Sequence, residues 1–124
     1  MGYINTDKTL LDFLPQIEEA LARGHGTHNV EDMILRIESG KCELWIEGDG
    51  LIVTKVEQWP RMRVMRFWLA AGKLEDVMLL EPRVIEKARE VGCTGMIIDG
   101  RKGWAKVLSR GWEEDGTRSF TKAL

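Results

Sequence analysis

Any chemistry performed by this 124-residue chain must come from a short set of side chains. His25-Gly-Thr-His28 holds both histidines. Zinc needs a fuller set of converging ligands than two imidazoles astride a Gly-Thr loop. The motif therefore reads as a polar turn, and no metal site is expected. Cys42 falls in a predicted strand and Cys93 at a helix-to-strand junction. Two thiols do not make a disulfide framework, so they read as buried packing in a reducing compartment. A thiol nucleophile would need a base, and His25 and His28 are the only imidazoles to supply one. Glu43, Glu47 and Glu57 lie on predicted strands. They could act as a base toward an amine or form a solvated strand face, and nothing in the sequence marks them as perturbed. Asp99 and Arg101, beside Gly100 and Gly103, could touch a small ligand, but Asp before a helix favours capping. No catalytic residue is singled out.

The elements that would position these groups centre on Arg61–Gly103. Arg61–Ala70 predicts a strand, apolar on both faces toward its end and so central and covered on both sides. Met65, Phe67 and Leu69 face one way, and Val64, Trp68 and Ala70 the other. Gly72 marks a turn, Lys73–Val91 a long helix containing Pro82, and Gly95–Asp99 a short buried strand. A second helix follows Gly100-Arg-Lys-Gly103, with Trp104, Val107 and Leu108 on one face. A strand–helix–strand unit joins parallel neighbours by a right-handed crossover and places ligands at the carboxyl ends of its strands. Those ends are Ala70–Lys73 and Asp99–Lys102.

Upstream, Leu10–Arg23 predicts a helix that starts near Phe13 with Asp12 as N-cap. Asn29–Ser39 predicts another, capped by Asn29. Lys41–Glu47 alternates, with Cys42, Leu44 and Ile46 on one face and Glu43, Trp45 and Glu47 on the other. Asp49-Gly50 signals a hairpin turn into a strand over Leu51–Gln58. Trp112–Glu114 and Thr117–Lys122 read as a terminal hairpin or bent edge strand. The fold class is thus α+β: a mixed sheet with an antiparallel meander, then a parallel β-α-β crossover, and helices on both faces. One domain spans residues 1–124.

Composition narrows the function classes. Apolar residues make up 44% and charged residues 31%, which is ordinary for a globular domain, and formal net charge is −2. With both signs interleaved, there is no electrostatic case for nucleic acid or an anionic membrane. No apolar run is long enough to span a bilayer.

The element order resembles the GNAT acetyltransferase fold, in which two helices precede an antiparallel meander. There the strand before the long helix splays from the next parallel strand, and acetyl-CoA enters the gap. The residues that carry this resemblance are Val64-Met-Arg-Phe-Trp-Leu-Ala70 running into Gly72, Val91-Gly-Cys93 with Met96-Ile-Ile-Asp99, and Arg110-Gly-Trp112. Leu69-Ala-Ala-Gly72, Gly92-Cys93, Gly100-Arg-Lys-Gly-Trp104 and Arg110-Gly-Trp112 look more narrowly like small GNAT-like proteins encoded among tailed-bacteriophage virion genes. The resemblance implies a coenzyme cradle at Ala71, Gly72, Lys73 and Leu74, should acetyl-CoA bind. Active members carry Arg/Gln-x-x-Gly-x-Gly/Ala there, whose backbone N–H groups hold the CoA pyrophosphate at a helix N-terminus. This chain has Ala70-Ala-Gly-Lys-Leu-Glu-Asp76, with one glycine and two carboxylates. The family's thiolate-protonating tyrosine is matched by Val107 and Leu108, and the only tyrosine is Tyr3.

Five tryptophans are many for this length. Trp45, Trp59 and Trp112 alternate away from the expected core or sit in turns, and exposed tryptophan is enriched at interaction hot spots. The covered alternative places Trp45 and Trp68 beneath the N-terminal helices. Together these features imply a catalytically degenerate GNAT-like domain without a cofactor. It would act as a phage virion, assembly or protein-interaction component, in a virion or the bacterial cytoplasm. Its partners would be virion proteins or itself. The alternative is a divergent acetyl-CoA-dependent N-acetyltransferase.

Overall fold

The computed structural model describes residues 3–5, 9–23, 29–99, 112–114 and 119–123. The expected helix after Gly100, with Trp104, Val107 and Leu108, lies outside the described residues, as does the His25–His28 loop. The described elements run β1 (Tyr3–Asn5), a 3-10 turn (Leu10–Phe13), α1 (Leu14–Arg23), α2 (Val30–Glu38), β2 (Glu43–Glu47), β3 (Gly50–Gln58), β4 (Arg63–Gly72), α3 (Leu74–Glu90), β5 (Gly95–Asp99), β6 (Trp112–Glu114) and β7 (Ser119–Ala123). They form an α+β fold around one mixed sheet of order β1-β2-β3-β4-β5-β7-β6. β2, β3 and β4 make the antiparallel meander, and β4 pairs with β5 in parallel. β1, which the sequence did not suggest, pairs with β2 in parallel. Three residues are too few to carry a periodic signal.

Local chemistry sets the helix starts. Asn29 caps α2 as expected: its side chain accepts the Asp32 N–H at 2.8 Å, and Asp32 accepts the Asn29 N–H at 3.0 Å. The first helical segment departs from expectation, because its N-cap is Thr9 and not Asp12. Asp12 sits three residues later and reaches back to the Thr9 N–H at 2.7 Å, a capping-box role. Pro15 then falls in the first turn of α1, where its missing N–H is harmless.

The sheet divides the interior into two cores. On one face, α1, α2 and the 3-10 turn bury Phe13, Ile17, Leu21 and Met33 against Ile46, Leu51, Val53 and Leu69. On the other, α3 buries Val77, Leu80, Val84 and Ala88 against Trp45, Ile52, Met65, Phe67, Met96 and Ile98. Burying a side chain of this size contributes about 1.5–3 kcal/mol. β4 breaks the simple alternation. Thr54 pairs with Phe67 but Val53 pairs with Leu69, so Trp68 is an extra residue. A bulge of this kind shifts the phase of every later side chain. Leu69 therefore joins the α1/α2 core, opposite Met65 and Phe67, where unbroken alternation had placed it with them.

Trp45 is the second departure. It is only 4% exposed, because α3 lies over the face of β2 expected to point outward. Its indole N–H donates to the Thr54 hydroxyl at 2.9 Å, and Thr54 is fully buried. A Thr54→Val variant keeps the shape but strands that N–H. It should lose about 1–3 kcal/mol in urea denaturation, whereas an unchanged midpoint would show that the bond contributes nothing.

Candidate functional site

The end of β4 and the start of α3 form the mouth of the crossover, where the sequence placed Ala71, Gly72, Lys73 and Leu74. Ala71 is buried against Phe13 and Leu51, while Lys73 and Leu74 are exposed. Gly72 takes φ +90°, and a Cβ there would stand 2.1 Å from the Asp49 carbonyl oxygen. That contact reflects how the mouth is built: the β2–β3 turn is seated directly on it. The Lys73 N–H donates to the Asp49 carbonyl at 2.8 Å, and the Asp49 N–H donates to the Asp76 carboxylate at 2.9 Å. Lys73 is the N-cap of α3 but makes no side-chain cap, so the turn takes over that end of the helix.

The turn itself differs from expectation. Glu47 pairs with Gly50, so its two residues are Gly48, at φ +53°, and Asp49. Gly50 is needed in the strand instead. A Cβ at Gly50 would lie 2.5 Å from the Val77 nitrogen, so only glycine lets β3 pass beneath the first turn of α3.

The electrostatics of the mouth follow. Asp76 and Glu75 bring two carboxylates to the first turn of α3, and Asp49 stands opposite. The Lys73 ammonium lies 3.9 Å from the Glu75 carboxylate, a well-exposed pair that contributes little. A helix N-terminus attracts anions through free amides and its dipole. Here the Lys73 amide is already bonded to Asp49, and the surrounding charge is negative.

The other sequence candidates scatter. Glu57 forms an ion pair with Arg66 on the α1/α2 face of the sheet. Burial pushes its carboxyl up, but the hydrogen bond and charge of Arg66, helped by Lys55 and Trp59, leave it below the ordinary range. Glu43 and Glu47 flank Trp45 on the α3 face, and each has one buried carboxylate oxygen without a hydrogen-bond partner among the described residues. Cys42 and Cys93 are buried in different cores, on opposite faces of the sheet. Burial raises both thiols, with Lys55 and Arg36 partly opposing it at Cys42 and Arg63 at Cys93, so neither is poised as a thiolate. Among the described residues, no three His, Cys, Asp or Glu side chains converge as a metal site. Also among them, no helix is long and apolar enough to cross a membrane.

Trp59 is 37% exposed at the β3–β4 turn, where its backbone N–H donates to the Met62 carbonyl at 2.8 Å. Trp45, expected beside it on an interface, lies inside the α3 core. Trp68 packs on the α1/α2 core with the Lys55 ammonium 5.7 Å from its ring centre. Trp112 opens β6, but its side chain is outside the described residues, as are the Asp99 side chain and all of Gly100, Arg101 and Gly103. Sequence reasoning missed Asp49 as the residue that fills the mouth. Gly48 and Gly50 in the hairpin, with Gly72 before the helix, were the available signal.

The chain significantly matches no family model, no curated protein and no solved structure.

Two outcomes test this geometry. Gly72→Ala should destabilise the protein by about 3 kcal/mol, combining positive-φ strain with displacement of the Asp49 turn. Gly92→Ala, at φ +86° with nothing within 4 Å, should cost only about 1–2 kcal/mol. Equal losses in chemical denaturation would refute the close-packed mouth. Secondly, the lowered Glu57 carboxyl contributes stability that is present above its unfolded value of 4.5 and lost as pH falls through the folded value. Glu57→Gln should cost about 1 kcal/mol at neutral pH. Its stability should also decline less than that of the parent on acidification below that value, as measured by urea midpoints across the acid range.

Proposed function

We propose that this chain is a GNAT-like domain without acetyltransferase activity, acting through protein contacts as a phage virion or assembly component. Three features support the fold reading: the meander β2-β3-β4, the parallel β4–β5 pair, and the long α3 between them. A fourth is an overhang: among the described residues, parallel pairing ends at Phe67↔Ile98, whereas β4 continues to Gly72. In the GNAT fold acetyl-CoA enters a gap where these two strands part. The assignment to phage assembly rests on the sequence pattern around Leu69–Gly72, Gly92-Cys93, Gly100–Trp104 and Arg110–Trp112.

The observation that carries the loss of activity is the Asp49 turn on the start of α3. The Lys73 amide that would hold a pyrophosphate donates to Asp49 instead, and the Asp76 carboxylate stands on the approach. A diphosphate would have to displace the turn and sit among three carboxylates. The rival reading, a divergent acetyl-CoA-dependent N-acetyltransferase, draws on the same strand order and would use Ala71, Gly72, Lys73 and Leu74.

A thermal-shift titration separates the two. A ligand of the native state at about 100-fold its Kd adds about 2.7 kcal/mol, which raises Tm by roughly 10 °C in a chain of this size. With millimolar CoA or acetyl-CoA, Tm should stay flat. A dose-dependent rise would overturn the proposal and favour the enzyme.

A further inference from the structure

A second site lies away from the crossover mouth, where the meander steps down in width. β2 begins to pair with β3 at Glu43↔Thr54, but β4 stays paired with β3 as far as Gln58↔Arg63. Among the described residues, Lys55–Gln58 therefore have a strand on one side only. A cleft of about 370 Å³ opens at this step. Arg36 and Lys41, from the end of α2 and just beyond it, form one wall, and Glu43, Thr54, Lys55 and Val56 form the other.

The chemistry of this cleft is specific. Among the described residues, Arg36, Lys41 and Lys55 make no ion pair within 4.0 Å; the Lys55 ammonium lies over the Trp68 ring and acts at longer range on Glu57. Arg36 and Lys55 are close enough to act together on the Cys42 thiol. Glu43 contributes a buried oxygen with no hydrogen-bond donor among the described residues. Buried acceptors in folded proteins are almost always paired. Val56 is 42% exposed and offers an apolar footing on the edge strand.

We infer that this cleft receives an extended, acidic peptide segment of a partner protein, added to the free edge of β3. Strand addition satisfies the unpaired edge groups through main-chain hydrogen bonds, while side-chain pockets set specificity. The segment's carboxylates meet Arg36, Lys41 and Lys55, and one of its N–H groups donates to Glu43. A simple anion satisfies only half of this, since the Glu43 carboxylate repels it and needs a donor. A nucleic acid supplies phosphates for the cations but no main chain for the edge. The inference is independent of what binds at the start of α3.

The test is an amide NMR titration of the whole chain with a blocked peptide that alternates glutamate and valine. Shifts should cluster at Arg36, Gly40, Lys41, Glu43, Lys55 and Val56, and hydrogen exchange should slow at Lys55–Gln58. The double variant Lys41→Glu/Lys55→Glu, shown to be folded by its own amide spectrum, should bind at least tenfold more weakly. The absence of shifts at millimolar peptide would overturn the inference. So would equal shifts with a lysine–valine peptide, or the same shifts saturated by acetate or free glutamate, which would mark a small-anion site only.

Discussion

The seat of the β2–β3 turn on the start of α3 is the contact on which the rest of the structure depends. Two hydrogen bonds, Lys73 N–H to the Asp49 carbonyl and Asp49 N–H to the Asp76 carboxylate, tie the meander to the crossover helix. Gly50 and Gly72 allow the backbones to approach so closely that a Cβ at either would collide with main-chain atoms. Once this seat is fixed, α3 must run across β2, β3 and β4. That course buries Trp45 and Ile52 beneath Val77 and Leu80. On the opposite face, Phe13 packs beside Ala71 and approaches the same Gly72, so the N-terminal segment is registered against the same point.

The same contact connects stability with function. A helix N-terminus at the carboxyl end of a central strand is a natural anion site. Here its N-cap amide is taken by the protein's own turn and its first turn carries Glu75 and Asp76. The fold thus uses one amide of this helix start, that of Lys73, for its own cohesion. An anion seated on that amide would have to displace the turn that ties the meander to α3. Arg36, Lys41 and Glu43 lie elsewhere, at the step beside α2 where the edge of β3 is open.

The bulge at Trp68 is a smaller device with a broad effect. By adding one residue to β4, it moves Leu69 and Ala71 to the α1/α2 core and returns Ala70 to the α3 side. It falls one residue beyond the last described parallel pair with β5, Phe67↔Ile98. Trp68 itself remains half-buried, with the Lys55 cation over its ring.

Local chemistry was legible in the sequence wherever neighbours along the chain decide the outcome. Asn29 as a cap, α2 and the long α3, the meander and the apolar Met96-Ile-Ile98 strand are set by short-range hydrogen bonding and by hydrophobic period. Several features depended on contacts between segments far apart in the chain, which one-dimensional patterning does not record. Asp49-Gly50 looks like a turn pair, yet Gly50 is spent on the approach of Val77, so the turn moves back to Gly48-Asp49. Trp45 alternates outward along its own strand, yet α3 covers it, because a strand between two layers has no solvent face. The start of α3 after Gly72, with its acidic first turn, could be read from sequence. Only the tertiary structure brought Asp49 across from the meander to the Lys73 amide, because that hydrogen bond joins residues 24 positions apart.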